Sequence, residues 1–376
     1  MSEAAAGLEA RLTDLWSPVL VKEVRQSVRG KAFRATFIAT LVLAAVVASL
    51  VLVQLGHRGD PSGQGLFMSM HVCLLIALLW LVPNAAYQSM TAEWTENTYD
   101  LLVISNLKPR QIVWGKWLSA MVQAALYGAA FLPFLVISFL LRGVDLLAAA
   151  SAVVFTAALS GALVMIALFL STFARRKAIQ VLLMAGVVAP TVPATFAAIG
   201  YGGEILRRPG QMYDDDFVLG ASFTLLAIGA VAVFCFLGAC ASLAHQEENR
   251  SSPLRIATLV TLVLGLVLLT VALWMHPERE AASAICMLLM GMVAVMNLFF
   301  ITEPEAVGRR VVPQFPSSSF GQALTFAFFP GGARGALFFC FQLYAAPGPP
   351  PVISTQAQPP TVSRPYRPPH FTLPKK

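Results

Sequence analysis

Charge is scarce in this chain: Asp, Glu, Lys and Arg together make up 12% of its 376 residues, about half the share found in a soluble globular domain. With 57% of residues hydrophobic, a water-soluble fold would have too little polar surface to cover itself, and that class is excluded. The net charge is +7, yet the cations fall in small groups between long uncharged runs. No single basic patch forms, so nucleic acid is not an expected partner and the lipid bilayer is. Cysteine is sparse too. Cys73, Cys235, Cys240, Cys286 and Cys340 all lie in apolar stretches, with no C-x-x-C pair and no histidine at ligand spacing, and they read as small buried hydrophobes. The sequence also lacks a phosphate-binding G-x-x-x-x-G-K-[ST] loop, an H-E-x-x-H pair and a G-x-S-x-G turn. No catalytic residue, metal site or bound cofactor is therefore expected, and any use of ATP must belong to another subunit.

What is present is a series of long apolar runs. A span needs roughly 20 apolar residues to cross the hydrocarbon, and eight stretches qualify: 35–55, 66–90, 117–141, 146–173, 178–199, 217–244, 256–275 and 281–301. Some thirty polar and basic residues precede the first, which marks it as a retained anchor rather than a cleavable signal. Lys and Arg residues in alternate connections number fourteen, including Lys22, Arg25, Arg29, Lys108, Arg110, Lys116, Arg175 and Arg255, against five in the other set. This imbalance places the N-terminus in the cytoplasm. The Asp214–Asp216 run falls in an outer loop and reads as solvated.

The expected fold is all-α, a polytopic transmembrane bundle of about eight spans. Residues 1–34 form a cytoplasmic N-terminus carrying an interfacial amphipathic helix, 35–301 the transmembrane domain with a cytoplasmic loop at 91–116, and 302–346 a cytoplasmic or re-entrant segment. Within the last, the apolar stretch 320–346 is interrupted by Pro330, Gly331, Gly332 and Arg334, which fits a re-entrant hairpin, a surface segment or two half-length helices. The tail 347–376 holds ten prolines and is expected to be disordered.

The spans hold no Asp, Glu, Lys or Arg, and their one ionisable side chain is His71, expected near the outer interface with access to water. Asn84, Gln123, Ser160, Gln180 and Asn297 serve either as hydrogen-bonding glue between helices or as the lining of a substrate path. Pro83, Pro133, Pro190 and Pro193 are candidate kinks.

Two segments carry the functional signal. In the first, Ser17 can cap a helix that begins at Pro18. Leu20, Val21, Val24 and Val28 then share one face, with Lys22, Arg25, Gln26 and Arg29 elsewhere around it, the pattern of a helix lying in the membrane interface or of a plain basic flank. In the second, the loop 91–116, the apolar centre Leu101–Ile104 is too short to span and is flanked by Glu93, Glu96 and Asp100 on one side and Lys108 and Arg110 on the other. It fits a short amphipathic helix docked on another protein, or one buried against its own bundle.

These segments resemble the permease subunits of ATP-binding-cassette (ABC) exporters of the type-2 class. There, "N-P-[VI]-L-x-[KR]-E-[LV]-R-Q" precedes span one, matched here by Ser17 through Gln26 with Pro18, Leu20, Lys22, Glu23, Val24 and Arg25 in register. Span two closes with a proline and "E-R-x-x-G-T-[LY]-[ED]-L-L", mirrored by Pro83, Glu93, Thr98, Tyr99, Asp100, Leu101 and Leu102. The family's "T-P-L-[ST]-P-R-x-I-[VL]-x-G-K" corresponds to Ser105, Asn106, Leu107, Lys108, Pro109 and Arg110, then Gly115 and Lys116. Asn106 and Lys108 depart from the motif, which bears on how the next helix is capped. The resemblance covers about the first third of the chain, residues 16–142.

It implies a transport subunit of the cytoplasmic membrane with no ATPase site of its own, moving an unidentified substrate. Its partners would be an ABC ATPase carrying ATP and Mg, and a second permease in a homodimer or heterodimer. The segment around Asp100 to Arg110 would be the coupling helix, and Gly115 and Lys116 would mark where span three leaves the cytoplasmic surface. An ATP-independent transporter and a non-transporting membrane scaffold are the alternatives.

Overall fold

The computed structural model describes residues 18–58, 63–96, 108–141, 144–210, 214–244, 252–275, 287, 289–298 and 332–345. Every element among them is helical: α1 (Pro18–Arg29), α2 (Lys31–Arg58), α3 (Gly63–Thr95), α4 (Pro109–Leu140), α5 (Leu146–Ser171), α6 (Lys177–Arg207), α7 (Asp215–Leu243), α8 (Ser252–Met275), α9 (Leu289–Leu298) and α10 (Gly332–Ala345). Seven of these, α2 to α8, are long and apolar enough to cross a bilayer. The protein is a multi-pass helical membrane protein. Of the expected eighth span, 281–301, only Met287 and α9 are described, and α9 alone is too short to cross.

The helices α3 and α5 form the centre, with 61% and 56% of their most apolar windows buried, whereas α2 and α6 sit at the periphery with 17% each. In lipid the apolar side chains gain nothing by leaving one apolar phase for another, so packing depends on close backbone approach and on polar contacts. The centrality of α5 follows from that. Ala148, Ala152, Thr156 and Ser160, spaced by one helical turn, are almost wholly buried, and this ridge of small residues lets α3 and α6 come close. Gly238 of α7 meets α5 in the same way: a Cβ there would stand 2.7 Å from the Phe169 ring.

Residues Ile76–Leu81 of α3 form a π-helical turn, in which Val82 N–H donates to Ala77 O, five residues back. The reason lies two residues on, where Pro83 has no N–H to continue an α-helical ladder. The Leu78 carbonyl, which Val82 would have used, accepts instead from the Ser160 hydroxyl at 2.7 Å. A backbone group freed within the bilayer is thereby satisfied by a neighbouring helix.

Several helix limits differ from the sequence reading. Helix α3 runs past Met90 to Thr95, and α4 starts at Pro109 rather than Trp117. Hydropathy stops where charge begins; the helices continue because those charges pair with one another, as described below. Arg255, read as a loop residue, lies in the first turn of α8 and is fully buried. His71 is likewise fully buried, not watered: it stacks on Phe67 with ring centroids 5.7 Å apart, and Gly202 of α6 closes over its ring. Cys73, Cys235 and Cys240 are buried as expected, but Cys340 is exposed on α10; Cys286 lies outside the described residues.

Of the interrupted stretch 320–346, the described part is α10, 14 residues long. One face of it packs on the bundle, while Leu337 and Phe341 on the other are exposed. Phe338 joins Ala230, Phe234, Leu254 and Met296 in one apolar cluster, and Gln342 Oε1 accepts from Asn297 Nδ2 of α9 at 2.5 Å. The Pro-rich tail lies outside the described residues.

Candidate functional site

Basic residues flanking α1, α4 and the α5–α6 connection lie at one end of the bundle, where buried ion pairs are found among the described residues. At its centre is Lys116. Its ammonium lies 2.7 Å from Glu93 Oε1 of α3 and 3.4 Å from Glu23 Oε1 of α1, and it reaches the Ser89 carbonyl at 3.5 Å. The lysine side chain is 2% exposed and each carboxylate 13%. One cation thus ties together three helices that are remote in sequence. Burying a lysine this deeply is tolerable because its charge is met on two sides.

Local sequence explains how each member is held. Pro109 at the start of α4 has no N–H to waste. Lys108, which has no acceptor with which to cap the helix, leaves the reciprocal half of a capping box: its backbone N–H donates to Gln111 Oε1 at 3.1 Å. Helix α1 runs alongside α4, with the Ser27 and Ser119 hydroxyls 3.1 Å apart, and turns into α2 at Gly30. Its exposed residues include Arg25, Gln26 and Arg29, while Glu23, Val24 and Val28 are half-buried. The segment is helical, and its half-buried side packs against α4. Pro18, Leu20 and Lys22 belong to it by backbone.

The same end is closed by α5 and α6. The Arg175 guanidinium sits over the Trp94 ring at 5.2 Å, and the Tyr87 hydroxyl donates to Gln180 O at 2.7 Å. Trp114 stacks on Trp117 at 4.8 Å, so tryptophans cluster at this level, as they do where a bundle meets the headgroups.

Between α1, α2, α3 and α4 lies a cleft of ≈ 580 Å³. Its wall includes Glu23, Glu93, Glu96 and Lys116 at the outer end and Thr36, Asn84, Gln123 and Tyr127 deeper in. The polar residues within the spans thus divide between the two roles open to them. Ser160, Gln180 and Asn297 hold helices together, whereas Asn84 and Gln123 line a cavity.

Of the residues singled out from sequence, Glu23, Glu93 and Lys116 meet directly, and Gly115 lies buried beside Lys116, within α4 rather than at a helix start. Glu96 is exposed at the C-cap of α3, and Pro109 and Arg110 open α4. Thr98, Asp100, Leu101, Leu102, Ser105, Asn106 and Leu107 lie outside the described residues. Tyr127 and Thr36, whose hydroxyls are 3.0 Å apart at the floor of the cleft, carried no signal in the sequence beyond being isolated polar groups in apolar runs. No family model, curated protein or solved structure matches this chain.

Proposed function

We propose that this protein is the permease subunit of a type-2 ABC exporter in the cytoplasmic membrane, N-terminus inside, working with a separate ATPase that binds ATP and Mg. One observation carries the reading. Glu23, Glu93 and Lys116 belong to three separate motif segments that resemble this family, and they form one ion-paired cluster. A motif match by chance gives no reason for its charged members to converge in space.

On this reading the cluster is a joint. The chain between Glu96 and Lys108 docks on the ATPase through Leu101 and Leu102, and both ends of that segment run straight into α3 and α4. Displacement of the docked segment by ATP-driven closure would tilt the two helices, and α1 with them through Glu23, as one body. The basic connections at this end favour a cytoplasmic position for it, with the cations of α1 toward the headgroups.

The test is purification from native membranes of the intact chain and of Leu101→Asp and Leu102→Asp. The intact chain is expected to bring down a subunit with a G-x-x-x-x-G-K-[ST] loop; the variants are expected to lose it while keeping their helical content. Substrate export unaffected by both substitutions would count against the assignment.

A further inference from the structure

The cleft has a definite chemical character. Its volume of ≈ 580 Å³ is that of a small-molecule site. Among the described residues around its mouth, three carboxylates, Glu23, Glu93 and Glu96, and one ammonium, that of Lys116, line the cleft, and the ammonium pairs with two of the three. Arg25 and Arg29 of the adjoining helix are exposed and do not line it. The excess of negative charge disfavours an anion and favours a cation.

Deeper in, the wall turns aromatic. Phe33 and Tyr127 line the cleft edge to face, 5.7 Å apart, with Phe37 behind, stacked on Phe33 at 5.6 Å and tilted against Tyr127 at 5.4 Å. Aromatic faces attract a desolvated cation without demanding the hydration shell of a small metal ion. Gln123, only 8% exposed, turns its carboxamide into this space and has no hydrogen-bond partner among the described residues. Its amide opens onto the cleft, where a ligand would meet it. Beyond the cleft, the outward face of α2 continues with Ile38 and Val42, 61% and 57% exposed, an apolar track one turn apart.

We propose that this cleft binds an amphiphilic organic cation, its charge set among the carboxylates and its apolar body against Phe33 and Tyr127. As a statement about cargo this rests on the exporter reading; as a binding site it does not.

The test uses the full chain in phosphatidylcholine nanodiscs, without nucleotide, and radiolabelled tetraphenylphosphonium as probe. Tetraphenylborate, of the same shape and opposite charge, is the control. One saturable cation site per chain is expected, with no saturable site for the anion. Glu96→Gln, at an exposed position, and Gln123→Leu are each expected to weaken binding by at least about fivefold, some 1 kcal/mol. Absence of saturable cation binding, equal binding of the anion, or an affinity unchanged in both variants would overturn the proposal. A chain that binds the cation yet recruits no ATPase would leave the cleft assignment standing and remove the exporter reading; recruitment without binding would do the reverse.

Discussion

At the scale of single residues, the distinctive feature is one lysine shared by two carboxylates at a nearly dry helix junction. Such an arrangement is stable only while complete. Lys116→Met leaves Glu23 and Glu93 facing each other without their counter-ion, and is expected to cost about 2–4 kcal/mol, read as a lowered thermal unfolding midpoint in detergent. The triple variant Glu23→Gln, Glu93→Gln, Lys116→Met removes all three charges and should recover most of that loss. A single variant as stable as the native chain would show that the pairing holds nothing together. The identities of these residues were plain in the sequence, since each stood at a motif position. Their meeting was not, because Glu23 and Lys116 are separated by 93 positions and hydropathy treats both as the end of a span.

At the scale of elements, the sequence conveyed which segments are helical far better than which of them are central. Helix α6 is longer than α5 and less apolar, and both are long and apolar enough to span, yet α5 is more than three times as buried. Helix α5 keeps its small side chains at four-residue spacing almost wholly buried, which a scale that scores only how apolar a residue is does not register. Close approach gives a paired expectation on α7. Gly238→Ala would drive a methyl group into the buried Phe169 ring, which is itself held edge-on by Phe173, and should cost roughly 1–3 kcal/mol. Gly229→Ala, nine residues earlier on the same helix and with open space around it, should be neutral. Thermal unfolding of the two variants side by side checks the difference; equal effects would mean that α7 does not rest on α5 there.

At the scale of the whole molecule, contacts fix which helix ends lie together. Arg175 and Gln180 join the Lys116 end through Trp94, Thr95 and Tyr87, while Gln64 of α3 bonds the Leu206 carbonyl at the opposite end. In a background without native cysteines, Arg176→Cys and Asp214→Cys, both at exposed positions, are therefore expected to react with a membrane-impermeant thiol reagent from opposite sides. Labelling of both from one side would break this arrangement. Hydropathy placed the spans because lipid imposes a length on them. It read 281–301 as a span and 320–346 as an interrupted apolar stretch, but gave no sign of the polar pair, Asn297 and Gln342, that joins α9 to α10. The π turn of α3 reaches across the same whole. One surplus residue there advances everything after it by roughly 100° about the helix axis, and so it sets the azimuth at which Asn84, Ser89 and Glu93 point. The proline at 83 and the serine at 160, far from any charge, are thus what aim the acidic half of the helix at its lysine.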